Sequence, residues 1–249
     1  MRIEFLGTGG FHPNDRRETA CLMIPEIGLV FDAGTAAYRI ARHLQTDSLD
    51  LFLTHAHLDH ICGLTYLITL TLSKRVREIR LYGRASFLTS VRDRLFDEAV
   101  FPVDPPFVFS PLEDTGSHVL ASGGVMHWQV LPSHPGSSTA YRLDFNGRKL
   151  AYVTDTTVDG TYDEFIAGAD LLVHECYYPD TKQDWAERTG HTYATELARL
   201  AAKVQVKRVV AVHPDPQADA DDPIGLAGMQ AIFPEMTLGQ DETGFELTP

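Results

Sequence analysis

Along this chain, short apolar runs alternate with longer stretches in which apolar residues recur every three or four positions. The first pattern is that of buried strands and the second that of helices packed on a core. Strands are expected at Arg2–Leu6, Ala20–Ile24, Leu29–Asp32, Leu49–Thr54 and Glu78–Tyr82. Further strands are expected at Val125–Leu131, Thr139–Phe145, Lys149–Thr154, Asp170–His174 and Arg208–Val212. Asn146-Gly147, between two of these runs, is a hairpin signal. Helices are expected at Ala36–Leu44, Gly63–Ser73, Ala85–Phe96 and Thr192–Val204, with a weaker pattern over Ile224–Phe233. The clearest is the one opening near Thr192, a candidate N-cap, because Leu197, Leu200, Ala201 and Val204 fall at helical spacing. The Pro-rich segment Phe101–Pro111 reads as irregular and as a candidate linker. Neither flank makes a domain alone, because the candidate site draws on both, so one mixed α/β domain over residues 1–249 with two sheets is expected.

Composition narrows this little. A chain of 249 residues fits one core, since cores split beyond roughly 250–300 residues. No segment approaches the roughly 18 apolar residues of a membrane span, and the opening MRIEFLGTGG carries no signal-peptide pattern. The net charge of −13 argues against a broad surface tracking nucleic-acid phosphates. The acidic run Ala218–Asp222 reads as a solvated loop. Cys21, Cys62 and Cys176 are odd in number and form no CxxC pair, which suits reduced thiols in a cytoplasmic setting.

The chemistry lies in the histidines. The run Thr54-His55-Ala56-His57-Leu58-Asp59-His60 follows an apolar strand and precedes a helix. Three imidazoles and a carboxylate within six residues make a poor structural turn, because each needs partners or water. As a metal site the run makes sense: neutral imidazole and carboxylate suit zinc and its first-row neighbours. His134, Asp155 and His213 each follow another apolar strand, and open α/β sheets assemble their sites at that carboxyl edge. Taken alone, His134 or His213 would be an ordinary loop histidine.

HAHLDH resembles the HxHxDH signature of the metallo-β-lactamase superfamily, and the later His, Asp and His come in that family's order. The resemblance runs nearly end to end and is nearest the ribonuclease Z and phosphodiesterase branch. It is carried by Phe5-Leu6-Gly7-Thr8-Gly9-Gly10, the segment from His134 to Arg142, His174-Glu175 and Gly190-His191-Thr192. It implies a four-layer αββα sandwich, two mixed sheets flanked by helices, binding two divalent ions, zinc first with manganese or iron as alternatives. His55, His57 and His134 would hold one ion, Asp59, His60 and His213 the other, with Asp155 bridging. The activity implied is that of a metal-dependent hydrolase in which a hydroxide held by both metals attacks a small phosphodiester or nucleotide. Asp59, Glu175 and His191 are its catalytic candidates, His191 as proton donor oriented by Glu175. From the residues alone, the alternative is a helix-start residue at His191 and a strand-end charge at Glu175. Asp32 is either a support for the ligands or a turn residue before Gly34. His174 would orient its neighbours, and Ser137 and Ser138 either meet a phosphate or form a turn.

The resemblance thins at the substrate. Ribonuclease Z grips tRNA with an arm inserted between the ligand histidine and the bridging aspartate. Here His134 and Asp155 lie only 21 positions apart, a span filled by the expected hairpin. The family's Ser and Arg beyond the last histidine are also missing from His213-Pro214-Asp215-Pro216. A small substrate is therefore expected, tRNA and membranes are disfavoured as partners, and a homodimer is one expected arrangement. The alternatives are a tRNA 3′ endonuclease, a lactone or thioester hydrolase, and a non-catalytic ligand-binding member of the fold.

Overall fold

A computed structural model describes residues 1–218 and 220–248, and the chain divides into two compact units. The first unit comprises Met1–Glu113 with Gln240–Thr248, and the second Asp114–Gly239. The strands of the first half are β1 (Arg2–Gly7), β2 (Cys21–Ile24), β3 (Leu29–Phe31), β4 (Ser48–Phe52), β5 (Glu78–Arg84) and β6 (Phe107–Leu112). They are followed by β7 (Thr115–Val119), β8 (Val125–Leu131), β9 (Ser138–Phe145), β10 (Arg148–Val153), β11 (Leu171–Glu175), β12 (Val209–Val212), β13 (Met236–Leu238) and β14 (Thr243–Glu246).

The first unit holds a seven-stranded sheet in the order β14-β1-β2-β3-β4-β5-β6. Its pairing is antiparallel from β14 to β3 and parallel from β3 to β6. The second unit repeats that arrangement in the order β13-β12-β11-β10-β9-β8-β7, parallel from β13 to β10 and antiparallel from there to β7. Both sheets are mixed.

Alternation along the strands sets each core. In the first unit Leu49, Leu51, Leu53, Ile79 and Leu81 share one face and pack with Ala36, Ala37, Ile40, Leu64, Leu67, Ile68 and Leu88 from the helical segments. In the second, Ala151, Val153, Leu172, Val209 and Ala211 meet Ala194, Leu197, Ala198, Leu200, Ala201 and Val204 of the helix Ala194–Val204. No helix among the described residues is long and apolar enough to cross a membrane.

Several expectations are corrected. Phe107–Leu112, within and just past the supposed linker, is the edge strand β6, and the boundary between units follows it at Glu113. Its one proline, Pro111, is tolerated there because an edge strand pairs on one side only. The expected helix Ala36–Leu44 is a 3-10 turn, Thr35–Arg39, running into the short helix Ile40–His43. Thr192 is not the cap of its helix: that position is Tyr193, and Asp180 accepts from the Thr195 N–H and hydroxyl in the first turn. Of the acidic run, Asp219 lies outside the described residues. Ala220, Asp221 and Asp222 are exposed, as a solvated loop requires, and the Asp222 carboxylate also accepts the Gly225 and Leu226 N–H groups where the helix Leu226–Ile232 begins.

Candidate metal centre

In the first unit the ligand candidates hang from the carboxyl ends of the parallel strands β3 and β4. Asp32, one residue past β3, has a positive φ of 57° and is fully buried. A left-handed non-glycine residue is uncommon, though Asp, Asn and His adopt it more readily than others. Its carboxylate accepts the Thr54 N–H at 2.8 Å and the Thr54 hydroxyl at 2.9 Å, and faces His60 Nδ1 at 2.9 Å. A carboxylate only accepts, so the proton of a neutral His60 ring belongs on Nδ1, 2.9 Å from Asp32, rather than on Nε2, which faces Asp59 Oδ2 at the longer distance of 3.3 Å. With its one proton given to Asp32, the Thr54 hydroxyl must accept from His55 Nδ1, 3.1 Å away, which fixes that imidazole in the same sense. Asp32 thus sets the tautomer of two histidines, through one direct bond and one relayed bond.

The turn itself is clamped. Ala33 N–H donates to the His60 carbonyl, and Gly63 N–H to the Ala33 carbonyl, both at 2.8 Å. A Cβ at Gly34 would collide with the Asp59 carbonyl, and one at Gly63 with the Gly34 carbonyl. Within this frame the His55 ring lies 4.4 Å from that of His57 and 4.2 Å from that of His60. Asp59 Oδ2 sits 3.3 Å from His60 Nε2 and accepts the Phe11 N–H at 2.9 Å. One donor atom each of His55 and His57 lie within 4.8 Å of each other, and the same holds for Asp59 and His60. Three crowded imidazoles, two of them buried, cannot all be charged without strong repulsion, so the donor set suits a cation held by neutral nitrogens and a carboxylate.

In the second unit the candidates arrive from four strand ends. His134 lies in the turn after β8, Asp155 two residues past β10, Glu175 at the end of β11 and His213 directly after β12. Asp155 and His213 again have positive φ, 52° and 60°. The Asp155 carboxylate turns one oxygen to each histidine: Oδ2 lies 3.7 Å from His134 Nε2, and Oδ1 lies 3.4 Å from His213 Nε2. The Thr154 hydroxyl donates to Oδ1 at 2.6 Å. His134 Nδ1 faces the Gly190 carbonyl at 3.2 Å, which places its proton there and turns Nε2 toward Asp155. Burial pushes the His134 pKa down, against the pull of Asp155. That keeps the ring in the neutral form a metal ligand requires.

Glu175 is fully buried and its carboxylate is satisfied three times. Oε1 accepts the Thr156 N–H at 2.7 Å and faces His191 Nδ1 at 2.9 Å, while Oε2 accepts the Thr192 N–H at 3.1 Å. His191 does not open a helix. It follows the helix Gln183–Thr189, which Gly190 ends in the left-handed conformation, and its N–H donates to the Ala186 carbonyl. A Cβ on Gly190 would press on the Ser133 carbonyl and His134 Cα, so one glycine terminates the helix and seats two histidines. The Tyr177 ring stacks on His191 at 4.4 Å and 24°, a residue whose only mark in the sequence is an aromatic pair two positions past Glu175.

His174 is buried between the Tyr162 hydroxyl, 2.9 Å from Nε2, and the Glu175 carbonyl, 2.7 Å from Nδ1. Burial lowers its pKa, so the neutral ring carries its proton on Nδ1 for the Glu175 carbonyl and accepts from the tyrosine. The two serines part company. Ser138 is fully buried and its hydroxyl donates to the Asp155 carbonyl at 2.9 Å, so it braces the ligand loop rather than facing a phosphate. Ser137 is half-buried with a φ of 65° and bonds its hydroxyl to the Gly136 carbonyl.

The sequence profile of the Beta-lactamase superfamily domain matches residues 29–214, which include every ligand candidate of both units. A ribonuclease Z of Archaeoglobus fulgidus is 25% identical over 300 residues, spanning 100% of this chain and 98% of that protein. A ribonuclease BN of Erwinia tasmaniensis is 25% identical over 298 residues, 97% of this chain and 98% of its own length. Each alignment spans more positions than this chain has residues, so both relatives carry segments it lacks. Among solved structures, the short form of human tRNase Z superposes with a TM-score of 0.80 at 22% identity, covering 100% of both chains. A diphosphatase of the PhnP family gives 0.74 at 15% identity, covering 99% of this chain and 98% of its own. At such identities the solved structures speak for the fold, which is that of the metallo-β-lactamases.

Proposed function

We propose, for a chain that belongs to the metallo-β-lactamase superfamily of hydrolases, that it is a phosphodiesterase acting on a small phosphodiester or nucleotide through two divalent ions. In this reading the two units act as one hydrolase domain, with zinc as the first candidate metal. His55, His57 and His134 would hold one ion, and Asp59, His60 and His213 the other. Asp155, which already presents a separate oxygen to His134 and to His213, would bridge them. Ions bound there would supply hydroxide at neutral pH, by lowering the pKa of water to about 7, and would draw charge from the phosphoryl oxygens.

The protein's own part is to fix donors and to move a proton. Asp32 holds His60 and, through Thr54, His55 with their Nε2 atoms presented as ligands. Glu175 accepts the His191 Nδ1 proton, so the proton passed to a leaving alkoxide is one carried on Nε2. Tyr177 keeps the ring plane fixed. The single observation that carries the phosphodiesterase reading is this Glu175–His191 pair. An alkoxide leaving group needs an acid, whereas a thioester expels a thiolate that departs without one; a lactone also expels an alkoxide, so the substrate panel separates it.

The test is a substrate panel on zinc- and manganese-loaded protein: bis(p-nitrophenyl) phosphate and cyclic nucleotides, beside a lactone and a thioester. Hydrolysis of the phosphodiesters is expected, and its absence with turnover of the lactone or thioester would overturn the reading. A tRNA 3′ endonuclease is the second reading, favoured by the ribonuclease Z relatives that match along the whole chain. Against it, β9, a tight turn at Asn146-Gly147 and β10 occupy the span between His134 and Asp155. Cleavage of a precursor tRNA by the same metal-loaded preparation decides between them.

A further inference from the structure

The loop between β1 and β2 is closed at its base, with Gly9 N–H donating to the Glu18 carbonyl at 2.9 Å and Asn14 N–H to the Arg17 carbonyl at 2.9 Å. Between these two pairs stands Phe11, with 67% of its surface exposed and a φ of 53°. The backbone of this residue is bonded to the metal centre, since its N–H donates to Asp59 Oδ2, the oxygen 3.3 Å from His60 Nε2. A large apolar side chain held in the left-handed region, exposed, and one hydrogen bond from a ligand carboxylate has no packing purpose. Leu58, the chain neighbour of Asp59, is a second large apolar side chain left exposed, at 70%. His12 meets the Phe11 ring edge-on at 5.4 Å and 61°.

We propose that Phe11 determines substrate specificity: its exposed ring is a platform on which the base of a nucleoside phosphodiester stacks while the phosphate meets the ligand set beside Asp59. The proposal rests on the phosphodiesterase reading and names the substrate class within it. One ring face suits a planar heterocycle, because stacking on an aromatic side chain needs only that face and tolerates any base. An acyl chain would need a longer apolar groove. The loop also carries His12, Asn14, Arg16 and Arg17, polar and basic groups that fit a nucleotide, beside the acidic Asp15 and Glu18.

The experiment compares two esters that share a leaving group, the p-nitrophenyl esters of thymidine 5′-monophosphate and of methyl phosphate. They are tested on zinc-loaded wild type, Phe11→Ala and Phe11→Trp. The wild type should favour the nucleoside ester in kcat/KM. Phe11→Ala should reduce that preference by about tenfold or more, chiefly through KM, and Phe11→Trp should keep it. An unchanged preference in Phe11→Ala, or none in the wild type, would overturn the proposal. If the wild type cleaves neither ester, the phosphodiesterase reading falls. Calorimetric titration of thymidine 5′-monophosphate into the zinc-loaded proteins then decides the platform alone. Binding weakened about tenfold or more in Phe11→Ala supports it, and equal binding or none overturns it.

Discussion

The first unit delivers its four ligand candidates from a single turn after β4, whereas the second collects His134, Asp155 and His213 from turns after β8, β10 and β12. The sheets behind them share one pattern of antiparallel and parallel pairing. The difference therefore lies in the loops, which vary freely while the sheet holds its strand ends in place. A contiguous turn needs a clamp, and here Asp32, Gly34 and Gly63 provide it. Dispersed ligands need a hub, and Asp155 is that hub, touching both histidines and braced by Thr154 and Ser138.

If that contrast is real, hub and clamp should fail differently. Asp155→Ala should empty both ion positions and cut phosphodiester turnover by about 10⁴-fold or more, since each ion supplies several kcal/mol of transition-state stabilisation. His57→Ala should cost one ion and leave the other, as metal analysis of the two variants would show. Loss of a single ion from Asp155→Ala would deny it the role of hub. His191→Ala should keep its metal and slow the hydrolysis of alkoxide esters by about 10²–10⁴-fold. The same variant should hydrolyse p-nitrophenyl esters with a smaller loss, because that leaving group departs without a proton.

A clamp acts on orientation, so its loss should be milder. Asp32→Asn should weaken metal affinity by about 10–100-fold, read by competition with a chelator. Wild-type affinity in Asp32→Asn would leave it a turn residue only. Gly34→Ala and Gly190→Ala should each cost about 1–3 kcal/mol through overpacking, seen as a lower melting temperature, with the left-handed φ of Gly190 adding strain.

The smallest effect concerns acid stability in the second unit. Burial depresses the His174 pKa, so the unfolded chain takes up this proton more readily than the folded one. The stabilising contribution is complete above the ordinary histidine value of about 6.5 and is lost as pH falls through the folded pKa. Melting temperatures should therefore decline on that acid limb, and less steeply in His174→Gln.

The same contrast explains what could be read in the residues. Strands such as Val125–Leu131 were legible because apolar residues, Met126 and Trp128 among them, alternate with polar His127 and Gln129 along them. The edge strands β6, β7 and β14 were not. Phe107–Leu112 carries a proline, and Thr115–Val119 and Thr243–Glu246 bury little or nothing, so neither hydrophobic pattern marks them. In the metal centre the turn His55–His60 was conspicuous because its ligand candidates are adjacent in the chain. His134 and His213 gained meaning only through their strand-end positions and the family's order. What no pattern revealed was support carried by backbone and ring contacts: the Phe11 N–H on Asp59, the Gly190 carbonyl on His134 and the Tyr177 ring on His191. Such contacts depend on three-dimensional approach between segments far apart in sequence.

Anomalous X-ray scattering from crystals grown with zinc tests the central claim most directly. Two peaks are predicted, one among His55, His57, His134 and Asp155 and the other among Asp59, His60, His213 and Asp155, with the Asp155 carboxylate shared. A single peak that Asp155 does not touch, or none at these residues, would contradict the account.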